Sequence, residues 1–252
     1  MKNYFYLLFL ILIVSSCDDQ SEYITPADPD SEFENLYFST LAKDNLKSIE
    51  SQRELVTSQL NAFNLSTAEK EKIAKHSGGN ASFADQSKEL NNQGNIHYTE
   101  GNFDLALYYY YNSLQIKLET PGDEGLSVTY RNVALAYQAL GDYKNAAINF
   151  WQALLIAEEL DNVDRIAMLY NDLGVIYDLA YDFGPIESFD PETSASVSLY
   201  EKALSISISI NNTERIAQAN FNLELLYDLK EDSSTARRRA AGRDQDDVED
   251  QL

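Results

Sequence analysis

The sequence predicts an all-α fold, an α-α superhelix of antiparallel helix pairs preceded by N-terminal helices. Three observations predict it. A block of residues recurs along the chain at offsets of 40, 40 and 50. Apolar residues outside the two ends recur every three to four positions, the spacing of one face of a helix. No stretch alternates apolar and polar residues as a half-buried strand would.

The elements follow in chain order. Met1-Lys2-Asn3 precedes an apolar run from Tyr4 to Val14, which stops at Ser15-Ser16-Cys17. One early positive charge, an apolar run and a small-residue stop make a secretory signal. The run is shorter than the roughly 20 residues that cross a bilayer. Val14-Ser15-Ser16-Cys17 resembles the bacterial lipobox. That resemblance implies a lipoprotein signal peptide over residues 1–16, lipidation of Cys17 with fatty acyl chains such as palmitate, and an extracytoplasmic protein anchored to a bacterial membrane. The outer membrane is favoured over the inner, with surface exposure open. The other reading is an ordinary cleaved signal with an incidental cysteine. Cys17 is the only cysteine of the chain, so it has no internal disulfide partner.

Residues 17–33, with Pro26, Pro29 and many acidic side chains, read as a flexible tether. Residues 34–80 read as an N-terminal helical segment. Phe38, Ile49, Val56, Leu60 and Phe63 mark an amphipathic helix from about Asn35 to Phe63, and Ser66-Thr67-Ala68-Glu69 fits a capping box opening a short helix to about His76. Ser77-Gly78-Gly79-Asn80 then breaks the pattern.

Residues 84–230 carry the repeat. Leu90-Asn91-Asn92-Gln93-Gly94 aligns with Tyr130-Arg131-Asn132-Val133-Ala134, with Tyr170-Asn171-Asp172-Leu173-Gly174 and with Asn220-Phe221-Asn222-Leu223-Glu224. Second halves align too: Gly101-Asn102-Phe103 with Gly141-Asp142-Tyr143, Ala106 with Ala146, and Tyr110 with Phe150 and Tyr200. These residues resemble the tetratricopeptide repeat: a small residue and a Tyr in the first helix, a Gly-Asp/Asn-aromatic turn, then Ala and an aromatic in the second. The spacing of 40 exceeds that family's usual length and predicts longer helices. Small residues such as Ala106 and Ala146 would let helices cross closely, and Gly101 and Gly141 suit a positive φ at a helix C-terminus. Each pair leaves an apolar face that only a neighbour buries, so the pairs stack. The third unit lacks the Gly turn, and the fourth has only its first helix.

Charge and chemistry narrow the function. Lys+Arg is 19 against Asp+Glu 41, a net charge of −22. Such a surface repels phosphate, so nucleic acid is excluded as a partner. No catalytic constellation, metal set or phosphate loop is present, so no enzyme and no cofactor are expected. His97 stands where later units have Tyr137, Tyr177 and Tyr227, and is read as packing between helices. Trp151 follows core position Phe150 and is read as structural.

In tetratricopeptide repeats the first helices line a groove. Asn92, Asn132, Asp172 and Asn222 hold one equivalent position there, and a row of amides offers donors and acceptors to an extended peptide. This resembles the asparagine ladder of kinesin light chain repeats. A purely structural role, satisfying helix backbone or water, stays open. Arg131, Gln138 and Tyr98 are further candidate contacts. Met168, Asn171 and Asp172 stand where a carboxylate clamp would need Lys and Arg, so that mode is rejected. Asp172 and Asp178 favour a basic or neutral ligand. The insertion around residues 182–192 reads as a tolerated surface insertion or as a specificity loop that would make Phe183 and Phe189 available. Residues 231–252, with Arg237-Arg238-Arg239, read as a disordered tail or a frameshifted gene end. The expectation is a membrane-anchored scaffold for a protein or peptide partner at the cell envelope. The alternative is a solute- or glycan-binding accessory lipoprotein of an uptake system. The oligomeric state stays open.

Overall fold

A computed structural model describes residues 48–63, 65–67, 71, 82–119, 125–181 and 195–228. Cys17, the tether, the 182–192 insertion and the tail from residue 231 lie outside the described residues. The described elements are helices: α1 (Ile49–Ala62), α2 (Phe83–Thr99), α3 (Phe103–Lys117), α4 (Gly125–Ala139), α5 (Tyr143–Glu159), α6 (Val163–Tyr181) and α7 (Ala195–Ser209), then α8 over residues 213–228. Helices α2/α3, α4/α5 and α6/α7 pack as pairs, and α3 meets α4 as α5 meets α6. The described residues are all-α, as predicted. The helix expected from about Asn35 begins, within the described residues, at Ile49, where the Ser48 side chain accepts from Ser51 N at 3.3 Å.

Capping side chains set the starts. Ser82 accepts from Asp85 N at 3.2 Å, Asp142 from Asn145 N at 3.0 Å and Asn162 from Arg165 N at 3.1 Å, each satisfying a first-turn N–H that has no helical partner. Left-handed residues set the stops. Gly101 and Gly141 have φ of 78° and 77°, and the next N–H returns to the helix: Asn102 to His97 O and Asp142 to Tyr137 O, both at 2.9 Å. The turns before α6 and α8 use the same geometry with Asp161 (φ 51°) and Asn211 (φ 54°). Asp and Asn tolerate that region better than other side chains do.

Small residues meet aromatics between the helices of a pair. Gly94 lies against the Tyr110 ring, and Gly174 against the Tyr200 ring. The Tyr110 hydroxyl passes over to donate to Asn95 Oδ1 at 2.8 Å, and Tyr200 donates to Asp178 Oδ2 at 2.5 Å. The middle pair holds Ala134 and Phe150 at these positions, both fully buried. Ala106 and Ala146 are fully buried as predicted. Of the four consecutive tyrosines, Tyr109, Tyr110 and Tyr111 are buried and Tyr108 is half-buried. Trp151 is buried, and His97 stacks on Tyr109 at 5.1 Å between ring centres.

Helix α1 packs on α3. Its stripe of Gln52, Val56, Gln59, Leu60 and Phe63 faces the repeats, with Val56 1% exposed and Phe63 edge-on to Tyr108 at 5.5 Å.

Candidate peptide-binding groove

The first helices α2, α4, α6 and α8 hold Asn92, Asn132, Asp172 and Asn222, and side-chain bonds tie the last three each to the preceding first helix. Asn132 Nδ2 donates to Asn91 Oδ1 at 3.1 Å and to Asn95 Oδ1 at 3.3 Å. Asn222 Nδ2 donates to Asn171 Oδ1 at 2.9 Å. Between them, Arg131 grips Asp172 with Nε at 2.5 Å and Nη2 at 3.3 Å. The links Asn91–Asn132, Arg131–Asp172 and Asn171–Asn222 each join a residue to the position one beyond its own equivalent in the next unit. One register therefore runs from α2 to α8.

That register changes what the ladder can offer. Asn132 spends both amide hydrogens on α2, so its carbonyl oxygen is the group it keeps for a ligand. Asn222 keeps one N–H and its oxygen. Asn92 is exposed at the N-terminal end of the row, and Gln138 is half-buried. Asp172 is engaged: its side chain is 12% exposed against Arg131 at 26%. Burial pushes the Asp172 carboxyl up, while the Arg131 guanidinium pulls it down. Asp178 accepts the Tyr200 hydroxyl. Both acids expected to attract a basic ligand thus already have partners inside the protein. Burial also raises the Tyr98 hydroxyl, opposed by the charge of Arg131, which places Tyr98 in the same polar patch.

Beside the polar row lies an apolar one. Asn95, Leu135, Val175 and Leu225 are equivalent by the repeat, with Leu135 and Val175 half-buried and Leu225 exposed. On α8, Phe221 stands where earlier units have Asn91, Arg131 and Asn171, and it is 58% exposed. The C-terminal end of the row is therefore the more apolar. A second tie fixes α8: Arg215 donates to both Asp164 oxygens at 2.6 and 2.7 Å, and Asn212 adds a third bond at 2.7 Å. Sequence reasoning found Asn132 and Asn222 but missed their acceptors Asn91, Asn95 and Asn171. The signal was available as complementary pairs one residue out of step with the repeat.

Residues 89–159, from α2 to the end of α5, match the family model of the tetratricopeptide repeat. Those residues carry the tetratricopeptide repeat. The repeat is a protein-interaction scaffold, generally non-catalytic. The fold is also similar to the crystal structure of BtubC (BKLC) from P. vanneervenii, with a TM-score of 0.51 and 18% identity over 84% of this chain and 87% of that one. At that identity the likeness is one of fold. No curated protein matches the chain. Among the described residues, no group of three or more His, Cys, Asp or Glu is placed to hold a metal ion. Among them too, no helix is long and apolar enough to cross a membrane.

Proposed function

We propose that the chain is a membrane-anchored tetratricopeptide scaffold that binds a protein or peptide partner at the bacterial cell envelope. The row along α2, α4, α6 and α8 carries the reading. Its helices are pinned in one register by Asn91–Asn132, Arg131–Asp172 and Asn171–Asn222. Amide oxygens and the Leu135, Val175 and Leu225 strip remain for an extended ligand. A surface fixed before binding loses little further entropy on complex formation. The anchor rests on Val14-Ser15-Ser16-Cys17. Glycan binding draws less support, since the single Trp, Trp151, is buried rather than free to stack on sugar.

Co-purification from envelope extract tests the partner. Because Asn132 and Asn222 also tie helices together, the informative variants are Asn92→Ala and Gln138→Ala, whose loss leaves those ties intact. A stoichiometric protein partner lost in the pair of substitutions, with unchanged melting, supports the reading. Undiminished capture sinks the groove assignment, and elution by oligosaccharide moves it to the glycan class. Metabolic palmitate labelling tests the anchor: Cys17→Ala abolishes the label, and persistent label removes the lipobox.

A further inference from the structure

A face of α4 that the groove does not use carries a second set of matched groups. Tyr130 and Tyr137 stand seven residues apart on α4, and Gln52 and Gln59 stand seven apart on α1. The Tyr130 hydroxyl donates to Gln52 Oε1 at 3.0 Å, and the Tyr137 hydroxyl to Gln59 Oε1 at 3.1 Å. Both pairs ascend together, so α1 runs parallel to α4 in register, two turns per step. Val56 is buried between the two bonds. Tyr111 donates to the Tyr137 hydroxyl at 3.1 Å and extends the floor. Arg53 donates to the carbonyl of Leu118 at 3.0 Å, a cation at the C-terminal end of α3 where helix carbonyls lack partners.

Helix α1 is thus a helical ligand seated in its own chain. The repeats hold one another through wholly buried residues such as Ala134, Phe150, Ala153 and Leu173. In contrast, Val56 is the one apolar side chain that α1 buries fully; Leu60 and Phe63 are half-buried against the repeats. It holds on further through the two hydroxyl–amide bonds and that of Arg53, polar contacts that water replaces at little net cost. Ile49, Glu54, Leu55, Thr57, Ser58 and Asn61 face solvent. Elements with few buried apolar contacts are those that open locally.

We infer that this seat is a second interaction surface: a tyrosine-lined channel, closed in cis by α1, that accepts a partner's amphipathic helix bearing amide side chains seven residues apart and an aliphatic residue four after the first. Recognition is of the helix-in-groove kind, with tyrosine hydroxyls reading the two amides and the pocket between them reading the aliphatic group. The residues are distinct from those of the proposed peptide groove, so either reading can fail without the other.

The test uses the full chain with Gln52→Ala, Val56→Asp and Gln59→Ala, probed with a fluorescein-labelled peptide of residues Ser48 to Phe63. Hydrogen exchange should show α1 amides losing protection at least tenfold while α4 and α5 stay within about twofold of the unaltered chain. The peptide should then bind saturably, one per chain, and a peptide with alanine for both glutamines at least tenfold more weakly. No binding to a variant whose α3, α4 and α5 remain protected overturns the inference. Loss of protection in α3 to α5 together with α1 also overturns it, because α1 is then part of one indivisible core. A second variant, Tyr130→Phe with Tyr137→Phe in the same background, keeps the packing and removes the donors. Affinity should fall at least tenfold there, and an unchanged affinity overturns the proposed register.

Discussion

Replacing Gly94 by alanine isolates the contact on which each helix pair is built. A Cβ at Gly94 would lie 2.5 Å from Tyr110 Cδ1, where carbon atoms prefer about 3.5–4.0 Å. The ring must retreat by about 1 Å, and it has little room, since Tyr110 is 2% exposed. Overpacking of this kind costs ~1–3 kcal/mol. Moving the ring also strains the 2.8 Å bond from its hydroxyl to Asn95, a further ~1 kcal/mol. Against this, alanine favours a helix over glycine by about 1 kcal/mol. The steric term wins, and Gly94→Ala should destabilise by ~1–3 kcal/mol, with roughly 2–4 °C of melting temperature per kcal/mol in a chain of this size. Urea denaturation followed by circular dichroism measures it. The middle pair predicts the rescue, because Ala134 coexists there with Phe150, both fully buried. Gly94→Ala with Tyr110→Phe should therefore cost less than the two single changes added, with a coupling of ~1 kcal/mol. A Gly94→Ala variant that is neutral or more stable would refute the reasoning, for it would mean that helix propensity outweighs the contact.

Other consequences are separable. Arg131→Met leaves the largely buried Asp172 carboxylate without its partner, and should cost about 3 kcal/mol, most of it recovered in Arg131→Met with Asp172→Leu. Because burial raises the Asp172 carboxyl, its ionisation opposes folding, so the Arg131→Met deficit grows as pH rises through that carboxyl's range; a deficit independent of pH contradicts this. Asp164 has the opposite sign: hydrogen bonds from Arg215 hold its carboxyl below the usual range, so its stabilisation is present above that range and lost as pH falls. Hydrogen exchange of residues 213–228 should report that loss on acidification, and Asp164→Asn should abolish the pH dependence. The side chain is 50% exposed, so screening keeps the effect below ~1 kcal/mol. Gly141→Ala meets no atom within 4 Å but holds φ at 77°, and should cost about 1 kcal/mol from backbone strain alone. Asn211→Gly, at φ 54°, should be neutral or slightly stabilising by thermal melting; a loss above ~1 kcal/mol would show that its side chain matters.

The repeat was legible because its signal is steric. A small residue at Gly94, Ala134 and Gly174 and an aromatic at Tyr110, Phe150 and Tyr200 are two sides of one contact, so both recur. The small residue does so at offsets of 40 and 40 and the aromatic at 40 and 50, because the insertion falls between them in the third unit. Gly101 and Gly141 recur for the same kind of reason, as left-handed stops. The lateral ties were less legible, because the side chains are chemically varied: Asn to Asn, then Arg to Asp, then Asn to Asn. They also fall one residue beyond the repeat offset, where alignment does not look. The seat of α1 was hidden for another reason. Periodicity shows that Val56, Leu60 and Phe63 share a face, but not which helices receive it. Gln52 and Gln59 sit on that apolar face, and two amides there were the sign that hydroxyls awaited them.

The same steric logic explains why the stack changes character at α8. Its equivalent of Gly94, Ala134 and Gly174 is Glu224, and its equivalent of Leu90, Tyr130 and Tyr170 is Asn220, both exposed. A second helix bringing an aromatic to Glu224 would meet a longer side chain than the methyl that already displaces Tyr110. A partner helix in the earlier geometry is thus disfavoured at α8, and polar residues cover that side, as expected of a capping repeat. Yet Phe221 and Leu225 make the neighbouring side of α8 apolar and exposed, at positions where α6 has Asn171 and Val175. Polar residues at Glu224 and Asn220 serve solubility, whereas Phe221 serves neither the inter-helix ties nor the core. On the proposed function, Phe221 and Leu225 form the apolar anchor of the groove at its C-terminal end.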